Sequence, residues 1–307
     1  MKAPIVVLGS LNTDFVMTME HLPKPGETVP GERLTAYAGG KGANQAVAAA
    51  RLGGQVAMVG RVGNDAPGRE LLASLMAAGV DQSGVGVDPA AASGAALILV
   101  GPDGQNMIAV APGANGNVGQ EEVARTIERL QPVGILVLQL EVPAAAVLAA
   151  ARGARAAGVR VLLNAAPAPA SADGLVAAAD VLIVNESEAG QLWGHPVRDP
   201  AAAAAAAQWA VARGAGAAVV TLGAAGAVLC ANGQVVTYAA RQVEAVDTTA
   251  AGDAFVGALA ARLAAGSSLE EAADLAGAAG AATVTKRGAQ SSLPSPEDLW
   301  RLFGIRI

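Results

Sequence analysis

The chain has 307 residues, with 20 Lys and Arg against 26 Asp and Glu for a net charge of −6, and 53% of it is apolar. That length can bury a sizeable core, the acidic balance without any Lys/Arg cluster argues against a nucleic-acid partner, and the apolar runs, largely alanine, break before they could span a bilayer. One cysteine, Cys230 in GAVLCANG, excludes an internal disulfide framework and reads as a small core residue; His21 in EHLPKPG and His195 in WGHPV sit in loop-like segments and supply neither a zinc set nor a Ser-His-Asp triad.

The opening MKAPIVVLGSLNTDF predicts a first strand over 5–8 and not a signal peptide, so a cytoplasmic location is expected. Segment 11–38 alternates Thr, Val and Met around LPKPGETVPG and predicts antiparallel strands. Within it Asn12 and Asp14 project to one face of an extended chain, placed either to bond ligand hydroxyls or to close a turn. AGGKGANQAVAAARLGG, over 38–54, follows. Gly39 and Gly40 allow a tight turn, and 43–52 predicts a helix closed by Gly53-Gly54. With no Ser or Thr after Lys41 this is not a Walker loop, and the glycine spacing is not a dinucleotide fingerprint either. It gathers bare backbone at Gly40, the Lys41 ammonium and the Asn44 amide at a helix start. Such a group suits a polyhydroxylated ligand, and equally an ordinary helix N-terminus with a solvent-facing lysine.

Further strands are predicted over 55–59, 135–140, 159–163, 181–184 and 217–221, alternating with Ala-rich stretches of helical length. This is the pattern of βα units around a buried parallel sheet. Segment 93–111 interrupts it with GAALILV and NMIAVA around Pro102-Asp103-Gly104, a hairpin. The polyalanine at 201–207 reads as a surface helix without a functional role. Four predicted strands end on polar residues, Glu141, Asn164, Asn185 and Thr221, and ligands of open parallel sheets bind beyond such ends, so these sketch one continuous site. Asn185-Glu-Ser-Glu188 either orders water about a magnesium ion or caps a helix. Thr221-Leu-Gly223-Ala-Ala-Gly226 either admits a phosphate or turns a hairpin.

Last comes DTTAAGDAFVG, with Asp247 and Asp253 in one of the most apolar parts of the chain. A carboxylate there must be a cap, a ligand or a reagent. AFVGALAARLAAG predicts a helix, so Ala250, Ala251 and Gly252 bring unpaired N–H groups to its start. Such an end would stabilise charge on a transferring phosphoryl group, with Asp253 as general base for a hydroxyl; alternatively Asp253 only caps the helix.

Taken together, GSLNTD, GGKGANQAVAAARLG, GNDAPG, NESE, TLGAAG, DTTAAGDAFVGA and VTKRGAQSSLP, in that order over essentially the whole chain, resemble the ribokinase family of sugar and nucleoside kinases. The resemblance implies a ribokinase-like three-layer α/β/α domain with a mainly parallel sheet, formed by 1–10, 39–92 and 112–307, plus a small β lid from 11–38 and 93–111. It implies ATP-dependent phosphorylation of a small sugar, D-ribose first, with another sugar, a nucleoside or a non-catalytic sensor as alternatives. By position, Asn12, Asp14, Gly40, Lys41, Asn44 and Glu141 match the residues that hold the sugar, Asp253 the base, and Ala250 to Asp253 the anion hole. Asn185, Glu188, Thr221, Gly223 and Gly226 match positions around the nucleotide phosphates and magnesium. Asp247 and Thr249, with carbonyls near Thr283, Lys286, Gly288 and Ser292, match a monovalent-cation site, for potassium. Gly277 stands where members of the family can carry a His that contacts adenine. In the lid region Arg33 is the only arginine and follows Glu32, which argues against a phosphorylated sugar. Exposed lid strands need covering, so a homodimer with paired lids is expected.

Overall fold

The computed structural model describes residues 3–102, 105–130, 134–169, 171 and 174–307. From the start of the chain, β1 (Pro4–Leu8) leads into β2 (Asn12–Met19) and β3 (Gly31–Gly39), then α1 (Lys41–Arg51), β4 (Gln55–Gly63), α2 (Ala66–Ala77) and β5 (Asp81–Asp88). Next come β6 (Gly94–Val100) and β7 (Asn106–Ala111), a short turn of 3₁₀ helix at Gly113–Asn117, α3 (Gln120–Arg129), β8 (Ile135–Leu138), α4 (Ala144–Ala156), β9 (Arg160–Asn164) and α5 (Leu175–Ala178). The last part runs β10 (Val181–Asn185), α6 (Glu186–Trp193), α7 (Pro200–Ala212), β11 (Ala217–Thr221), β12 (Ala227–Ala231), β13 (Gln234–Tyr238), α8 (Ala251–Ala264), α9 (Leu269–Thr283) and α10 (Pro296–Phe303).

Nine strands form one sheet in the order β13-β12-β11-β10-β9-β8-β1-β4-β5, parallel from β11 through β5, with β12 and β13 antiparallel at one edge. The strand runs are apolar on both faces because helices cover both. Ile5, Val7, Met58, Val137 and Ile183 face α1, α2, α8 and α9, and the intervening Val6, Leu8, Leu136, Leu138 and Leu182 face α4 and α7. From β1 the chain winds first through β4 and β5 and later, from β8, to the other side, so the switch point lies where β1 adjoins β8. β5, rich in Gly and Asp, is the parallel strand that the apolar-run criterion misses, and the exposed antiparallel edge strand β13 escapes it too. β8 stops at Leu138, which frees Gln139 and Glu141 from the ladder. Alanine also explains α7. Its Asp199 side chain caps the first turn and Ala203, Ala206, Ala207 and Ala210 are buried against the sheet, so it is a packing helix as well as a surface one. Among the described residues no helix is long and apolar enough to cross a membrane.

A separate four-stranded sheet has the order β3-β2-β6-β7. Each pair is antiparallel as its sequence predicts, but the seam between β2 and β6 is parallel. Asp103 and Gly104 of the expected turn lie outside the described residues.

Candidate active site

The site starts at the switch point. After β1 the chain passes Gly9 and Ser10, and α1 begins beside it at a left-handed Gly40, φ 88°, where a Cβ would meet Asn12 N at 2.7 Å. Only glycine fits both constraints. Glu141, just past β8, closes this corner: its Oε2 accepts from Ser10 Oγ at 2.6 Å and from the Lys41 backbone N–H at 3.0 Å. A carboxylate at that position also answers the positive end of α1. On β2, Asn12 is buried and its Oδ1 accepts from Asn115 Nδ2 at 2.8 Å; Asn115 bonds Leu11 N and O as well. Asp14 stands over Gly39, where any Cβ would collide with its carboxylate. Burial, then the Glu141 and Asp253 charges, push Asp14 up to about 7.

Asp253 does not cap its helix. It is the third residue of α8, and no side chain caps that N-terminus. Its carboxylate is buried and turned toward α1, accepting from Asn44 Nδ2 at 2.9 Å and Gln45 Nε2 at 3.0 Å. Gln45 also donates to Asn164 Oδ1 at 3.0 Å and accepts from Gln139 Nε2 at 2.7 Å. Asn44 Oδ1 is buried with no hydrogen-bond partner. Burial raises the Asp253 carboxyl above its ordinary range, against the opposing pull of Lys41 and the two amides. Burial alone would lower Lys41, but the surrounding Asp253, Glu141, Glu188 and Asp14 outweigh it, so the ammonium stays charged.

Asp253 and Lys41 also form one wall of a cavity of about 220 Å³, with Asn164, Asn185, Glu188, Thr221, Ala250, Ala251 and Gly252 around it. Three of the four strand-end residues therefore line one space, and Glu141 joins it through the Lys41 backbone. The α8 end is open: Ala250 has φ 60°, uncommon for a residue with a side chain, and Gly252 has no atom within 4 Å of where a Cβ would lie. Asn185 and Glu188 form a reciprocal capping box for α6, at 2.8 and 2.9 Å, so the capping alternative describes their hydrogen bonds while Glu188 still faces the cavity. Burial raises the Glu188 carboxyl. The Gly223 to Gly226 segment is a tight turn between β11 and β12, closed by Leu222 N donating to Gly226 O at 2.8 Å. Gly277 lies on α9 within reach of Arg241, whose guanidinium is held by Asp274 O and Oδ2. Two wider recesses, about 650 and 540 Å³, lie at the amino ends of β9 to β11 and beside α10, away from these groups.

Asp247 ties two loops together: Oδ1 accepts from Thr249 N and Oδ2 from Gly288 N, each at 2.9 Å, and Val246 N donates to Val284 O at 2.7 Å. Although burial opposes it, these bonds hold the Asp247 carboxyl below its usual range. The Thr283 and Ser292 hydroxyls donate to Ala279 O and Ala289 O, and the Lys286 ammonium pairs with Asp298 at 2.9 Å, so what these residues offer the loop is backbone. Among the described residues no group of three or more His, Cys, Asp and Glu could hold a metal ion.

Ser10, Gln45, Asn115 and Gln139 escape sequence reasoning. Gln45 lies inside the quoted glycine motif and Ser10 directly after the first strand, which is a usable signal. Asn115 and Gln139 are ordinary amides whose partners lie about 100 residues away.

The profile of the pfkB family carbohydrate kinases matches residues 2–296. The chain is 38% identical over 298 residues to the ribokinase of Haemophilus influenzae, covering 97% of each, and 37% identical over 294 residues to the deoxyribokinase of Salmonella typhi, covering 95% of this chain and 96% of that one. It superimposes with a TM-score of 0.87 and 32% identity on the Arabidopsis thaliana ribokinase complexed with ribose and ATP, covering 98% of this chain and 99% of that one.

Proposed function

This chain belongs to the pfkB family of carbohydrate kinases and is an ATP-dependent sugar kinase, and we propose that it phosphorylates D-ribose on its primary hydroxyl to D-ribose 5-phosphate. One observation carries the mechanism. Asp253 is buried between the α1 amides and the cavity at the open end of α8, a position from which one carboxylate meets both a sugar hydroxyl and a phosphoryl group. Asn12, Asp14, Asn44 and Glu141, with the backbone at Gly40 and Lys41, hold the sugar. The unpaired Asn44 oxygen accepts one of its hydroxyls.

As the hydroxyl oxygen bonds to the γ-phosphorus of ATP, its proton passes to Asp253, the bond to the bridging oxygen breaks and ADP departs. The Lys41 ammonium and the N–H groups at Ala251 to Asp253 answer the charge on the transferring group. The Gly223 to Gly226 turn and Thr221 border the nucleotide phosphates. Glu188, a single carboxylate with the Asn185 amide beside it, suits magnesium, which takes most of its ligands from phosphate and water and would neutralise phosphate charge when bound. The oxygen-only loop about Asp247, with one ionised carboxylate, suits potassium.

Asp253→Asn tests the base. Turnover of ATP with D-ribose should fall by about 10²–10⁴ while ribose binding persists, and activity within tenfold of wild type would refute the role. The deoxyribokinase similarity makes 2-deoxyribose the second substrate to measure. We further propose a cytoplasmic homodimer joined through the lids, supported by exposed Leu34, Leu97, Met107, Ile108 and Val110 on the small sheet.

A further inference from the structure

Behind Asp253 the orientation of each buried amide matters. Gln45 spends both N–H bonds on oxygens, Asp253 Oδ1 and Asn164 Oδ1. Asn164 commits its own NH₂ to Ile183 O at 3.1 Å and so presents only its oxygen to Gln45. Turned over about its last torsion, Gln45 would aim a carbonyl oxygen at a carboxylate and at an amide oxygen, two acceptors that cannot reciprocate. A further restraint on the same orientation lies on its far side, where Gln139 Nε2 donates to Gln45 Oε1 at 2.7 Å. Gln139 is fully buried beyond β8, and any side chain at Gly9 would collide with its oxygen. That oxygen is itself buried without a hydrogen-bond partner. A buried carbonyl left unpaired is unfavourable, and here it accompanies an NH₂ group that faces Gln45.

We infer that Gln139, which touches neither Asp253 nor the cavity, is a positioning residue for phosphoryl transfer: its donation fixes the Gln45 amide with its N–H bonds toward the Asp253 carboxylate. The inference rests on Asp253 being the base. An N–H aimed at a carboxylate favours its ionised form, and an oxygen in the same place favours the protonated form. Without Gln139 the base should therefore titrate higher and lose activity first at low pH.

The test is Gln139→Met, which keeps bulk and length but removes the donor, assayed across pH with ATP and D-ribose, or 2-deoxyribose should that turn over faster. The acid limb of kcat/KM should move up by about one pH unit, with kcat at low pH down by about tenfold and the sugar KM little changed. Gln139→Glu is the second variant. Its carboxyl can donate only while protonated, so its loss should deepen as pH rises, the reverse of Gln139→Met. A purely structural role predicts the same loss at every pH in both variants, and that outcome, or a Gln139→Met profile superimposing on wild type, overturns the inference. Asp253→Asn run alongside separates the two levels. If it stays active the base assignment falls and this inference with it; if it is inactive while the Gln139 variants titrate as wild type, only the inference falls.

Discussion

Replacing Gly257 by alanine should cost this protein far more activity than stability. Gly257 lies on α8 one turn beyond Asp253, pressed against α1: a Cβ there would stand 2.5 Å from Ala48 Cβ, 2.7 Å from Gln45 O and 2.8 Å from Ala49 N. Two methyl groups need about 3.5–4.0 Å, so the helices must part by about 1 Å. Overpacking of this kind costs about 1–3 kcal/mol, and alanine in a helix returns about 1 kcal/mol relative to glycine. The net destabilisation is therefore at most about 2 kcal/mol, a fall of a few degrees in Tm at about 2–4 °C per kcal/mol. The same displacement separates Asn44 and Gln45 on α1 from Asp253 on α8, whose bonds are 2.9 and 3.0 Å long. A misplacement of about 1 Å at reacting groups is worth about 10² in rate. Steady-state kinetics and a thermal melt on the same preparation decide it. Wild-type kcat in a protein that melts a few degrees lower would refute the claim that α1–α8 spacing sets the geometry of the base; an unchanged melt and unchanged kcat would refute the packing argument itself.

Gly252→Ala is the contrasting change, since nothing lies within 4 Å of its Cβ position. The melt should stay level or rise, by about 0.5–1 kcal/mol of helix preference, while kcat falls about tenfold or more because a methyl intrudes on the phosphoryl path; unchanged kcat would remove that backbone from the anion hole. Asp14 gives a pH signature. Its carboxyl titrates near 3.8 unfolded and about 7 folded, so between those values the folded state holds a proton the unfolded state has lost, and stability falls as pH rises through that window. The Tm advantage of Asp14→Asn over wild type should grow up to pH 7 and then level; a difference independent of pH would contradict the shift. Exchanging potassium for tetramethylammonium should slow wild type by about tenfold and leave an already slow Asp247→Ala unaffected, whereas equal wild-type rates in both salts would dismiss the cation loop.

The parallel sheet was legible from sequence because its strands are buried on both faces and so read as unbroken apolar runs, four of the six predicted ones each followed by a helical stretch. β5 was not, since its residues at the sheet margin are Gly and Asp, held by the pairing with β4 and not by their own hydrophobicity. Site positions at strand ends and helix starts were legible for the same reason: local backbone geometry leaves N–H groups and side chains there for a ligand. Asn185 and Glu188 show the limit, because a capping box and a wall of the cavity beside Asp253 use the same residues and the sequence pattern alone does not separate them. What only the tertiary structure decided is the environment of Asp253. Its sequence position suits a cap equally well, and the choice is made by Asn44 and Gln45, 209 and 208 residues away. Gln139 and Asn115 belong to the same class. A hydrogen-bond partner that chain folding brings from a distance leaves no periodicity in the sequence, because the pairing is fixed by the packing of α8 on α1 and of both on the switch point of the sheet.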